Sequence, residues 1–338
     1  MDFALTAEQE QLREVARRFL AEPAPDGPDR AAHAARLGWL DPDLGMVERA
    51  LLVEECGYAL DPNPWWTRLA LPDPLATAVG TASVAIVEDA VMARHDGSNR
   101  WLVSGEAAAV PDATTAERLV VATVPPGSGR LTSGSAPLRP RAADEADLFL
   151  VDPAAPGCVI SPGDGIDPLR QPAAVTLRDT PADPLPDSPR ALQTVRLRRR
   201  ALLVAEAVGV AQKAYDLAVA HVKVREQFGR PVGSYQGVAF GIADCYVRVE
   251  LARSLAYRAA WLIGAGDPAA GLAVATAVPA ARHAAVANCE QAIQALGGLG
   301  MTWEHPLHRW YRRALWFEAY EMTTGACLDT VADALLAG

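Results

Sequence analysis

Paired cysteines, surplus basic charge, a clustered metal shell and a long apolar run are all missing from this chain of 338 residues. Its five cysteines (Cys56, Cys158, Cys245, Cys289, Cys327) are scattered without a CxxC, which argues against a disulfide framework and for a reducing compartment. All but Cys158 sit in or beside helical patterns, where a thiol serves as a small core group. The formal net charge is −10, so neither nucleic acid nor an anionic membrane surface is a natural partner. No apolar run reads as long enough to span a bilayer, and the opening Met-Asp-Phe-Ala-Leu-Thr lacks signal-peptide regions, so the expected location is the cytoplasm. His305 and His308 share a helical spacing but find no completing ligands, and no metal is expected.

Half the residues are hydrophobic and 21% charged, ordinary for a globular protein with two or three structural units. The spacing divides the chain into a helical part (1–71), a β-rich middle (72–189) and a helical bundle (190–338). Thr6 through Gln9 has capping-box spacing and opens a helix, which a Pro/Asp-rich break from Glu22 to Asp29 ends. A second helix is expected over Gly45 to Tyr58, with Leu51, Leu52 and Cys56 inward and Pro62-Asn63-Pro64 as its stop. The β-prone runs are Ser83–Val87, Trp101–Ser104, Leu119–Val124, Leu148–Val151 and Ala174–Leu177, which predict a small antiparallel sheet or barrel. Its proline-rich loops, notably Pro125 to Arg141, are expected to be mobile. Helices are expected over Ala201–Val224, Tyr235–Gly264, Ala269–Leu296 and Leu328–Leu336, with shorter ones between, the third interrupted and kinked at Pro279.

Two elements carry chemistry. The first is Arg225-Glu226-Gln227-Phe228-Gly229-Arg230-Pro231, closed by Tyr235-Gln236. An arginine ahead of an aromatic and a glycine corner can hold a diphosphate while the ring packs on a flat heterocycle. The second is Gln294-Ala295-Leu296-Gly297-Gly298, where the glycines admit a ligand close to the backbone and the amide orients it. Taken singly, Arg225 reads as a helix-end salt bridge and Gln294 as a helix C-terminal amide; taken together, in this order and followed by Tyr320-Glu321-Met322-Thr323, they point to one ligand.

In these residues the chain resembles the acyl-CoA dehydrogenase family. The resemblance implies a mainly α fold with a β middle domain: an N-terminal helical part, a small antiparallel β domain and a C-terminal bundle. It implies FAD as cofactor, an acyl-CoA substrate desaturated between its α and β carbons, and an electron-transfer flavoprotein as acceptor. Arg225, Gln227, Phe228, Tyr235, Gln236, Gln294, Gly297 and Gly298 match the family's contacts to the pyrophosphate and adenine end of FAD, and Thr323 matches a flavin-side position. Glu321 falls on the family's catalytic base, although alone it reads equally as a solvated carboxylate.

The departures lie elsewhere. Met322 replaces a small glycine and Gly325 a polar residue, while the alternative base position holds Arg199, with Arg200 next. In the middle region Ile86-Val87-Glu88-Asp89-Ala90 runs straight into Val91 without the family's Gly-Ser-Asp loop. Ala109-Val110-Pro111-Asp112-Ala113 lacks its Trp and Thr-Asn pair, and the N-terminal part looks too short for the usual acyl-pocket wall. This pattern resembles the short subunits of heterotetrameric actinobacterial steroid-degrading enzymes, implying a full-length homologue as partner. Two alternatives stay open: a self-sufficient homo-oligomer with a rewired flavin pocket, and a flavin-free scaffold of the same fold.

Overall fold

The computed structural model describes residues 4–22, 28–98, 100–123, 146–320 and 323–336. The chain divides into two units: a helical one (Met1–Pro23, Gly45–Asp61, Arg200–Gly338) and a β-containing one (Ala24–Leu44, Pro62–Arg199).

The helical unit begins as its sequence dictates. The Thr6 hydroxyl accepts from the Gln9 N–H at 3.2 Å, and the Gln9 side chain accepts from the Thr6 N–H at 3.0 Å, so α1 (Ala7–Ala21) opens on a full capping box. A later helix (Met46–Ala59) buries Leu51, Leu52 and Cys56 and ends at Leu60, which takes a left-handed conformation (φ 57°) ahead of the prolines. It packs backbone to backbone on the 37-residue helix Ser188–Val224. A methyl group on Gly57 would fall 2.1 Å from the Glu206 carbonyl oxygen, and one on Gly209 would fall 1.9 Å from that of Glu54. Only glycine permits this approach.

Numbered in chain order, α2 is Pro28–Arg36, α3 Met46–Ala59, α4 Trp65–Arg68, α5 Asp73–Val79, α6 Ser188–Val224, α7 Gln236–Gly264, α8 Ala270–Leu296, α9 Leu307–Ala319 and α10 Thr324–Leu336. α8 runs unbroken through Pro279, where an interruption was expected. The sequence reading of no span-length apolar run is also corrected: Ala270–Met301 is long and apolar enough by length and composition. Over half of its most apolar window is buried, because it is a core helix of the bundle.

Charges inside this unit are paired. Glu206 and Arg313, both fully buried, form an ion pair. Glu54 accepts from Arg253 (3.0 Å) and from the Tyr257 hydroxyl (2.6 Å), and Glu55 meets Arg17 (2.8 Å) and Arg13 (3.4 Å). Burial pushes the Glu55 carboxyl above its ordinary range, although Arg17 opposes the shift.

In the other unit, seven strands form the sheet: β1 (Val84–Glu88), β2 (Ala90–His95), β3 (Trp101–Pro111), β4 (Arg118–Ala122), β5 (Leu148–Val151), β6 (Cys158–Pro162) and β7 (Pro172–Pro184). Their order is β1-β4-β5-β7-β3-β2, with β6 also on β7. The antiparallel expectation holds for every described pair in this sheet but one: β1 lies parallel to β4, with Val84 opposite Arg118. Two parallel strands need a long connection, and the β2–β3 hairpin supplies it. Alternating Val87, Val91, Val103, Leu119, Val121, Phe149, Val175 and Leu177 form the core.

Four strands go beyond the sequence expectation. β2 and β6 match none of the expected runs, β3 continues past Ser104 to Pro111, and β7 continues from its apolar centre through Pro181 to Pro184, bulged near Asp179 (φ 46°); β6 pairs with β7. α6 starts at Ser188 rather than Ala201, because Leu192 and Val195 are buried. The stretch 125–141, expected to be mobile, lies outside the described residues.

Candidate functional site

Arg225 follows the last residue of α6, exposed, its N–H donating to the His221 carbonyl at 2.9 Å. The chain then makes a two-stranded hairpin, β8 (Glu226–Gln227) against β9 (Arg230–Pro231), with Gln227 opposite Arg230. Phe228 and Gly229 are the two turn residues, both with positive φ (53° and 79°). That is a type I′ turn, for which asparagine–glycine is the preferred pair. A phenylalanine there is strained by about 1 kcal/mol. Its ring is 94% exposed and, among the described residues, meets the edge of Tyr235 at 6.5 Å between centroids.

Tyr235 fixes the hairpin to the helix that follows. Its hydroxyl donates to the Gln227 carbonyl at 3.0 Å, the Arg230 guanidinium lies 4.0 Å from its ring centroid, and its backbone caps α7. Gln236, exposed, is the first residue of α7. Gln227 turns its own amide back onto the Glu226 carbonyl at 2.8 Å.

The second element arrives at the same end of the bundle. α7 and α8 are antiparallel, with Arg248 bonded to Asn288 (3.3 Å) and a methyl on Gly241 falling 2.6 Å from the Gln291 side chain. Continuing that register puts the start of α7, at Tyr235 and Gln236, beside the end of α8, at Gln294. Gln294 is exposed, and Gly297 ends α8 with φ 61° and ψ −136°, a conformation that glycine alone adopts readily. Around Gly297 and Gly298 nothing stands within 4 Å of where a Cβ would be. The space in front of both backbones is open. His305, just beyond, accepts from the Leu307 N–H at 3.2 Å; burial, with His221 and His308 adding to it, pushes its pKa down.

Eight of the ten sequence-predicted residues therefore gather at one end of the helical unit, with Arg225 and Arg230 as exposed cations. A diphosphate-bearing, flat-ringed cofactor fits this donor set: a planar cation, an exposed ring and two unobstructed glycine backbones. Arg230 was not singled out from the sequence; its place opposite Gln227, next to the aromatic turn, was the available signal. Thr323 sits apart from this cluster, its hydroxyl accepting from the Ala326 N–H at 3.2 Å as the cap of α10. Glu321, the candidate base, and Met322 lie outside the described residues.

In the β unit the corresponding segments turn inward. A lone Asp89 separates β1 from β2, and the Glu88 carboxylate is held by Arg196 at 2.5 Å and Arg199 at 2.8 Å. Burial alone would push Glu88 up, but Arg199 and Arg196 outweigh it and hold the carboxyl below its ordinary range. Arg199, at the alternative base position, is thus the counter-ion of Glu88. Past the end of β3, Asp112 adopts φ 59° and donates its N–H to the Gln171 carbonyl at 3.3 Å.

The family described as acyl-CoA dehydrogenase, C-terminal domain, matches residues 190–336. Acyl-CoA dehydrogenase IpdE2 of Mycobacterium tuberculosis is 30% identical over 330 residues, covering 91% of each chain. Acyl-CoA dehydrogenase FadE34 of the same organism is 38% identical over 172 residues, half of this chain but 24% of FadE34. Among solved structures, butyryl-CoA dehydrogenase from Megasphaera elsdenii superposes with a TM-score of 0.84 at 21% identity, covering 99% of this chain and all of that one. A relative 30% identical over 91% of each chain shows the family, and the fold agrees with it: the chain belongs to the acyl-CoA dehydrogenase family.

Proposed function

We propose that this protein is the subunit of an FAD-dependent acyl-CoA dehydrogenase that donates the clamp for the pyrophosphate and adenine end of FAD to a full-length homologue. The observation that carries this reading is the hairpin tip. Phe228 is held in a left-handed turn with its ring in solvent, beside an exposed Arg225. Strain without an internal reward marks a residue kept for something outside the chain.

FAD supplies the acceptor for the hydride that leaves the β carbon of the acyl group. The chain's own residues bind and orient. Arg225 would offer a fork of donors to the diphosphate, Phe228 would supply a face for the adjoining heterocycle, and the Gln227 and Gln294 amides would fix its orientation. Gly297 and Gly298 let the phosphates approach the backbone. Tyr235 and Gln236 anchor the base of the hairpin. In this reading Glu321 accepts the α proton of the thioester if the chain is itself catalytic, and Thr323 stands beside it.

Two features favour a donated site over a self-contained one. The one-residue connection between β1 and β2 leaves no loop there, and the Glu88 charge is consumed by Arg196 and Arg199. Five free thiols suit a cytoplasmic enzyme, and an electron-transfer flavoprotein is the proposed acceptor.

The test is purification of the chain alone and together with a full-length homologue. The lone chain should be colourless and inactive, and the co-purified pair should carry a single FAD and desaturate an acyl-CoA. Yellow, active protein from this chain alone would overturn the pairing and leave a self-sufficient dehydrogenase.

A further inference from the structure

α7 buries one side in the bundle through Cys245, Val249, Ala252 and Ala256, and leaves a second stripe uncovered. Phe240, Asp244, Val247, Leu251, Arg258 and Trp261 occupy the seam positions of a heptad repeat along that stripe. All six are exposed, the four apolar ones by 46–62%. A row of large apolar side chains left in solvent marks a surface that another molecule covers.

The charges in the stripe say which molecule. Asp244 and Arg258 lie seven residues to either side of Leu251, about 10 Å each way along the helix. At about 21 Å from each other they cannot pair, and neither forms an ion pair among the described residues. A second α7 laid antiparallel across Leu251 sets each Asp244 against the other copy's Arg258. It also stacks Leu251 on Leu251 and brings each Phe240 to the other copy's Trp261. A parallel copy would oppose Asp244 to Asp244 and Arg258 to Arg258, which repel. We propose that α7 is a self-association surface, covered by α7 of a second copy of this chain about a two-fold axis at Leu251. The two hairpins then stand at opposite ends of the helix pair, about 45 Å apart, and each clamp stays open. The pairing does not depend on what the clamp holds.

Analytical ultracentrifugation of the full chain, without flavin, is the test. The parent should sediment as a dimer at micromolar concentration. Asp244→Arg and Arg258→Asp should each weaken the dimer about a hundredfold, because like charges then face each other at both ends of the seam. A chain carrying both changes should regain the parent's affinity, a rescue that a role of either residue within one copy would not give. Leu251→Glu, at the axis, should yield monomer with native helix content by circular dichroism. A monomeric parent, a single reversal that keeps the parent's affinity, or a double variant that stays apart would each overturn the proposal. So would a monomeric parent that joins a full-length homologue only while Leu251 is intact, which would assign the stripe to the homologue. Arg225→Ala should leave the dimer unchanged, so failure of the clamp and failure of this seam are separable.

Discussion

The hairpin at residues 225–236 and the strand connection at residues 88–90 treat their functional-looking side chains in opposite ways. At the connection, the charge of Glu88 is answered by Arg196 and Arg199 within the same unit, and all three are largely buried. At the hairpin, Arg225 and Phe228 are exposed, and the turn is strained to keep the ring there. Residues that a chain satisfies internally are explained by its own folding. Residues held out at a cost are explained only by something that comes to them.

That contrast can be broken most forcefully at Glu88. Glu88→Ala leaves two buried guanidinium groups without their counter-ion and should cost about 3–5 kcal/mol of stability, read by denaturant unfolding. Flavin retention per folded molecule should not change; a specific loss of flavin would give Glu88 a ligand role and erase the contrast. The same variant carries a pH signature. Because the folded carboxyl is held low, its contribution is complete above the ordinary carboxylate pKa of about 4.3 and is lost as pH falls through the lower folded value. The stability gap between parent and variant should therefore be full at neutral pH and close in acid.

At the hairpin the effects should run the other way. Arg225→Ala should weaken flavin binding by the assembled enzyme about ten- to a hundredfold, as expected for lost charge-assisted bonds, with an unchanged melting curve. A fall in melting temperature with flavin affinity intact would reduce Arg225 to a helix-end residue. Phe228→Asn supplies the residue a type I′ turn prefers and should raise stability by about 1 kcal/mol while lowering flavin affinity. Stabilisation without loss of binding would show that the ring serves nothing. The smallest effect is expected at Gly298, where a methyl group meets no atom of the chain. Gly298→Ala should leave stability equal or about 0.5 kcal/mol higher, yet weaken the flavin by crowding its approach.

How far these features were legible in the sequence varies with how local their causes are. The ends of α7 and α8 fell within a residue of expectation, and the capping box at Thr6 was as read. The hairpin's residues were read as a ligand-holding set but not as a strained turn, because the φ of Phe228 is fixed only once Gln227 pairs with Arg230 and Tyr235 ties the base. The early part of α6 was missed because its arginines mask the spacing of Leu192 and Val195; two of them, Arg196 and Arg199, are paired with Glu88, more than a hundred residues earlier. The length of β7 was hidden by its prolines, and the parallel pairing of β1 with β4 has no signal within either strand.

The amino-acid order by itself determined the long helices, most strand positions and the family to which the motifs point, because caps, periodicity and short motifs act over a few neighbouring residues. Only the tertiary structure decided which charges are consumed and which are offered. Glu88 meets its arginines, Gly57 and Gly209 bring two helices into backbone contact, and Phe228 is left facing solvent through contacts between distant segments. Whether a side chain is satisfied depends on what surrounds it in space, and no local pattern carries that information.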